Sequence, residues 1–238
     1  MFSRARSLFI VLIASSWLIL SPRAARADFS VTFGIETTAL QQISNDPFAL
    51  QFSFFLGGSS TDTATISNFN FGTGSAAGNA WTTYGVPVTG DLSSSIVMTP
   101  DTSTYFGQVF QQDFNPGSEL TFTVTFSSPL NDGDEFSVGI LSAPDGATDP
   151  SQYSSINTLD PSYNNNFIDV LTYSYQGPII NTYASADPDI AIAAPDYGGP
   201  IATPAPSSLC LALSSLPLLM YFMGKKRSLR RQLRVCPI

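Results

Sequence analysis

The stretch "FSVTFGIE" at residues 29–36 sets Phe29, Val31, Phe33 and Ile35 against Ser30, Thr32 and Gly34. Successive side chains of a strand point to opposite faces, so this pattern builds a sheet with one buried and one wet face. The same signal recurs at 48–56, 63–72, 94–99, 104–114, 119–127, 134–142 and 166–175, and no stretch between them reads as a convincing amphipathic helix. "NPGS" at 115–118 and "NDGD" at 131–134 carry turn chemistry of the kind that joins antiparallel strands. About eight strands with Phe-rich inner and Thr-, Ser- and Gln-rich outer faces predict an all-β domain over residues 28–193. The expected architecture is a two-sheet antiparallel sandwich of jelly-roll topology.

At 238 residues the chain has room for one such domain. All ten Lys and Arg residues lie at or before Arg26 or at or after Lys225, and all eighteen Asp and Glu lie from Asp28 to Asp196. Residues 28–224 therefore carry a formal charge of −18. That field repels phosphate backbones and excludes nucleic acid as a partner. With 43% apolar and 12% charged residues, the chain is nonetheless too hydrophobic to stay disordered.

Histidine is absent, and both cysteines, Cys210 and Cys236, lie in or beyond the last apolar run. The domain thus has no disulfide, no thiolate nucleophile and no His- or Cys-based metal site, and no cofactor is expected. A serine nucleophile would find no His, Lys or Arg to take its proton, which excludes a serine triad. The domain reads as non-enzymatic; a hydrolase built on paired carboxylates is the remaining catalytic alternative, and the sequence places no two acids in a cleft.

The two ends read as an address. Arg4 and Arg6 precede the apolar run "SLFIVLIASSWLIL", and "SPRAARA" offers small residues at Ala25 and Ala27, so residues 1–27 form a signal peptide cleaved before Asp28. Residues 194–206 include "GGPIATPAP", a Gly/Pro linker that is not expected to continue a sheet. Ser207 to Met223 is uncharged and, at about 1.5 Å per residue, spans about 25 Å as a transmembrane helix, bent at Pro217. Lys225, Lys226, Arg227, Arg230, Arg231 and Arg234 then hold the tail, 224–238, on the cytoplasmic side.

Pro204, Ala205 and Pro206, followed by "SSL", a short apolar helix and a Lys/Arg cluster, resemble the PEP-CTERM sorting signal of exopolysaccharide-producing bacteria. Ala205 stands where that signal carries glutamate. The resemblance implies recognition by an exosortase, a membrane-embedded protease or transpeptidase that removes the tail and passes the protein to the cell surface or matrix. "PFALQFSF", "TATISNFNFG", "GDLSSSIVMT", "FNPGSELTFTVTFS" and "DEFSVGIL" resemble, over about residues 29–175, a group of secreted PEP-CTERM proteins without an established activity. This implies a compact β domain on the cell surface.

Four stretches could carry binding, though none is specific enough to name a site. Trp81 and Tyr84 lie in "GTGSAAGNAWTTYGVPVTGD", read as a Gly-rich loop, where Trp81 could stack on a sugar ring while Asn79 or Asp91 bonds its hydroxyls, or could instead fold back to cap the core. "NDGDE" at 131–135 offers oxygen ligands for calcium without the spacing of a dedicated calcium loop, and Asp132, Asp134 and Glu135 read as solvated turn acids. "DPSYNNN" at 160–166 and "SYQG" at 174–177 read as polar-aromatic loops. The expectation is an exported surface or matrix protein, structural or adhesive, associated with exopolysaccharide. A carbohydrate-binding module and a permanently membrane-anchored periplasmic protein are the alternatives.

Overall fold

Each of the eight expected runs forms a strand. In the computed structural model the strands are β1 (Phe29–Glu36), β2 (Phe48–Phe55), β3 (Ala64–Asn70), β4 (Ser75–Tyr84), β5 (Thr89–Gly90), β6 (Ile96–Met98), β7 (Gly107–Asn115), β8 (Glu119–Phe126), β9 (Glu135–Ser142), β10 (Ser154–Ser155), β11 (Ile168–Tyr173), β12 (Gly177–Thr182), β13 (Asp196–Tyr197) and β14 (Ile201–Ala202). The structure describes residues 28–43, 47–58, 62–127, 133–144, 147, 149–162, 164–173, 177–198 and 201–202. The expected signal peptide 1–27, Pro204, Ala205 and Pro206, the apolar segment 207–223 and the cationic residues from Lys225 to Arg234 all lie outside the described residues. Among the described residues no helix is long and apolar enough to cross a membrane.

Two antiparallel sheets make up the fold. The first runs β13-β1-β8-β3-β6-β5, with β14 also on β1, and the second runs β12-β11-β9-β2-β7-β4, with β10 on β9. Alternation decides what each presents inward. Val31, Phe33 and Ile35 of β1 join Leu120, Phe122, Val124 and Phe126 of β8 on one side. Phe48, Leu50, Phe52 and Phe54 of β2 join Phe110 and Phe114 of β7 and Phe136, Val138 and Ile140 of β9 on the other. Phe52 bridges the layers, edge-on to Phe122 at 5.5 Å and stacked with Phe136 at 6.2 Å between ring centroids. Such aromatic pairs add about 0.5–1.5 kcal/mol each beyond their burial.

On its outer face the first sheet carries hydroxyl pairs, Ser30 with Thr125 at 2.8 Å and Thr32 with Thr123 at 2.9 Å. These cross-strand bonds favour the register without adding charge. The second sheet differs, because residues 149–155 stand over part of its outer surface, with Tyr153 against Trp81 and Asp113. Ser137 and Leu141 are buried even though they point away from the core.

Three expectations need correction. Residues 194–206 are not simply a linker: Asp196 and Tyr197 pair with Gly34 and Phe33, and Ile201 and Ala202 with Ser30 and Phe29. Two-residue pairings along the outer edge of β1 ask little of a Gly/Pro-rich chain, since an edge strand bonds on one side only. Nor do the turns at 115–118 and before Glu135 close hairpins; they carry the chain from β7 to β8 and from β8 to β9, each time between sheets. Finally, the Gly-rich segment read as a loop contains β4, the second sheet's edge strand.

Candidate functional site

β4 hides from a reading of alternation because its pairing with β7 slips twice, between Ala76 and Ala80 and between Thr82 and Tyr84. Each slip is a bulge: the first sets Ala77, Gly78 and Asn79 against Asp113 alone, and the second adds Thr83 and so breaks the period of two. Gly78 sits in the first slip with φ +58°, and a Cβ there would collide with the Asp113 carboxylate. The second slip has a functional consequence. Trp81 lies opposite Gln111 and Tyr84 opposite Val109, two β7 residues apart, so both aromatics reach the same outer face although three positions separate them in sequence.

Across that face one row of the sheet runs Trp81, Gln111, Gln51 and Gly139. Opposite Trp81 stands a wall formed by residues 149–155. Asp149 caps a short 3-10 turn, accepting the Ser151 amide at 2.8 Å while its own amide donates to Gln152 Oε1 at 2.9 Å. The Ser151 bonds hold the Asp149 carboxyl below its usual range, so the wall presents a charge. Tyr153 follows this turn and donates its hydroxyl to Asp113 Oδ1 at 2.7 Å. Burial and that carboxylate hold the phenol well above its ordinary range, so Tyr153 remains a donor.

Between wall and edge strand lies a groove of about 770 Å³. Gln51, Gln111 and Leu141 form its floor, Trp81, Thr83 and Pro87 one side, and Asp149, Ser151 and Tyr153 the other. The Trp81 and Tyr153 rings approach to 6.4 Å at 51°. Gln111 is only 2% exposed, and its amide nitrogen has no hydrogen-bond partner. Past the groove the aromatic surface continues: Tyr84 meets Phe55 at 6.1 Å and Tyr105 at 5.4 Å, all three solvent-exposed.

The sequence-singled residues divide accordingly. Trp81 lies in the groove, on a strand rather than a loop, and Tyr84 lies beside it. Asn79 and Asp91 do not line it; Asp91 closes its own turn by accepting from Ser93 and Ser94. Asp134 and Glu135 are not solvated turn acids: Asp134 is buried and accepts the Gly57 amide at 2.9 Å, and Glu135 opens β9. Asp132 lies outside the described residues. Of "DPSYNNN", Asp160 is buried and bonded to Ser162, and Asn166 donates to Asp169 Oδ1 at 2.8 Å. Gln51, Gln111, Asp149 and Tyr153 went unnoticed. Only the capping-box spacing of Asp149 and Gln152 could have flagged that wall.

Elsewhere on the second sheet Asp169 is buried near Asp160 and Glu135. Burial first, then these two carboxylates, push its carboxyl up to about 7, despite the bond from Asn166. Glu135 is raised by burial and by Asp160. Among the described residues no three acids form a group that could hold a metal ion. Compared with protein-family models, curated proteins and solved structures, the chain matches none of them.

The raised carboxyl generates a prediction. Between about pH 4 and about pH 7 the folded protein keeps a proton on Asp169 that the unfolded chain has lost, so stability falls as pH rises through this window. Asp169→Asn keeps an acceptor for Asn166 and removes the ionisation. Its melting temperature, followed from pH 5 to pH 8, will fall less steeply than that of the parent protein; equal slopes would show that Asp169 does not contribute.

Proposed function

We propose that the protein is an exported, non-enzymatic adhesive element of the cell surface or matrix, and that it holds exopolysaccharide in the groove over its second sheet. One observation carries this reading: an open groove joins two aromatic rings, Trp81 and Tyr153, to the polar side chains of Gln51, Gln111 and Ser151. Sugars have apolar ring faces and hydroxyl edges, so aromatic surface and amide groups side by side match both. The strand orders β1-β8-β3-β6 and β2-β7-β4 support a jelly-roll topology, and its broad outer sheet face suits an extended ligand.

Export rests on the two termini and sorting on the PEP-CTERM-like signal at Pro204, Ala205 and Pro206. An exosortase-like membrane protease is the processing partner in this reading. The absence of His, Lys and Arg between residues 28 and 224 favours binding over catalysis, because an acid–base mechanism would have carboxylates alone to work with. Ala205 favours one second reading, in which the altered signal escapes processing and leaves a periplasmic domain anchored by residues 207–223.

Two experiments test the proposal. On a glycan array bearing polysaccharide of the protein's own host, the secreted protein will bind selectively, and Trp81→Ala will weaken binding at least tenfold, about 1.4 kcal/mol, without lowering the melting temperature; equal binding by the variant would refute the groove. Mass analysis of the protein from its host will place the mature C-terminus near Thr203 to Pro206. An intact end at Ile238, confined to inner-membrane fractions, would establish the anchored reading instead.

A further inference from the structure

We infer that the groove takes a stretch of neutral polysaccharide chain, laid across Trp81 and on toward Tyr84, with one ligand oxygen accepting a hydrogen bond from the Gln111 amide nitrogen. This rests on the glycan-binding reading and narrows it to a ligand class and a specificity-determining residue.

Gln111 supplies the first argument. Its side chain belongs to the groove floor, its residue is 98% shielded, and its amide nitrogen is buried without a partner. A desolvated donor left unpaired destabilises a fold, and native proteins rarely leave one without cause. The nitrogen has less than 1 Å² of accessible surface, so an oxygen arriving on the floor would satisfy it once the terminal amide turns toward the groove. Sugar hydroxyl and acetamido oxygens are suitable acceptors, whereas an aliphatic ligand has none.

Charge supplies the second. Asp149 presents an ionised carboxylate on one wall, Asp113 lies behind Tyr153, and no Lys, Arg or His occurs anywhere from residue 28 to residue 224. A uronate or sulfate group entering this site would meet like charge with no cation to balance it. Neutral sugars incur no such cost.

The bulge in β4 supplies the third. It sets Tyr84, 46% exposed, two β7 residues beyond Trp81 on the same face, a step of about 7 Å along the strand. That step is on the scale of one hexose unit. The aromatic surface then continues through Phe55 and Tyr105, so a chain is accommodated better than a single sugar.

The test uses the secreted protein and the host's matrix polysaccharide, partially hydrolysed, separated into neutral and acidic fractions and sized. Titration calorimetry in EDTA will show neutral fragments binding with affinity that rises with length, and acidic fragments at least tenfold weaker. Gln111→Met removes the unpaired donor at nearly constant volume; it will leave the melting temperature unchanged or raised while weakening neutral-fragment binding at least tenfold. Tyr84→Ala, at an exposed position, will weaken binding of long fragments and spare short ones, and serves if the Gln111 variant fails to fold. Acidic fragments binding as well as neutral ones, or a folded Gln111→Met with unchanged affinity, would overturn the inference while leaving the groove intact if Trp81→Ala still abolishes binding. Binding of neither fraction would overturn the glycan reading itself.

Discussion

Phe52 lies against Phe69, Phe110, Phe122 and Phe136, with centroid separations between 5.5 and 6.2 Å. These contacts tie β2, β7 and β9 of one sheet to β3 and β8 of the other. The domain has no disulfide to fall back on, because both cysteines lie beyond it. Interdigitated Phe, Leu, Ile and Val side chains therefore carry the stability, and register follows from the core: a slip of one residue in β2 would turn Phe52 outward and bury Gln51. The outer row of Gln51, Gln111 and Trp81 is in place only because the inner row is fixed.

That dependence explains why the fold was more legible than the site. Long central strands such as β2, β8 and β9 repeat the period of two over eight residues, and the alternation shows in the amino acids themselves. β4 obeys a different rule. It lies at an edge, and two bulges interrupt its pairing, so its pattern resembles that of a Gly-rich loop. β12 is hidden for a related reason: it opens on Gly177 and Pro178, residue types that favour turns, yet among the described strands it pairs with β11 at the edge of the sheet, where proline is tolerated.

Trp81 was recognisable as a candidate from its residue type, but its partners were not. Gln111 reaches it through pairing of β4 with β7, whereas Tyr153 arrives from a segment seventy-two positions away, held by its bond to Asp113. Local sequence contains neither relation. Asp134 illustrates the opposite error, since a turn-like "NDGD" suggested solvated acids while tertiary packing buries Asp134 against the Gly57 amide. In both cases long-range contacts decided the role.

A common logic runs from these strands to the proposed activity. The sandwich needs only one face of each sheet for its core, leaving the other faces free. The first sheet uses its outer face for paired hydroxyls, and the second uses part of its own for a groove that includes an unpaired amide. Trp17 and Trp81 are the two tryptophans of the chain, so removal of residues 1–27 leaves Trp81 as the one indole reporter, already in the groove. The most direct measurement is tryptophan fluorescence of the protein lacking residues 1–27, titrated with its host's exopolysaccharide. The account predicts a saturable change in intensity or wavelength; polysaccharide binding that leaves the Trp81 emission unaltered would place the contact elsewhere and contradict it.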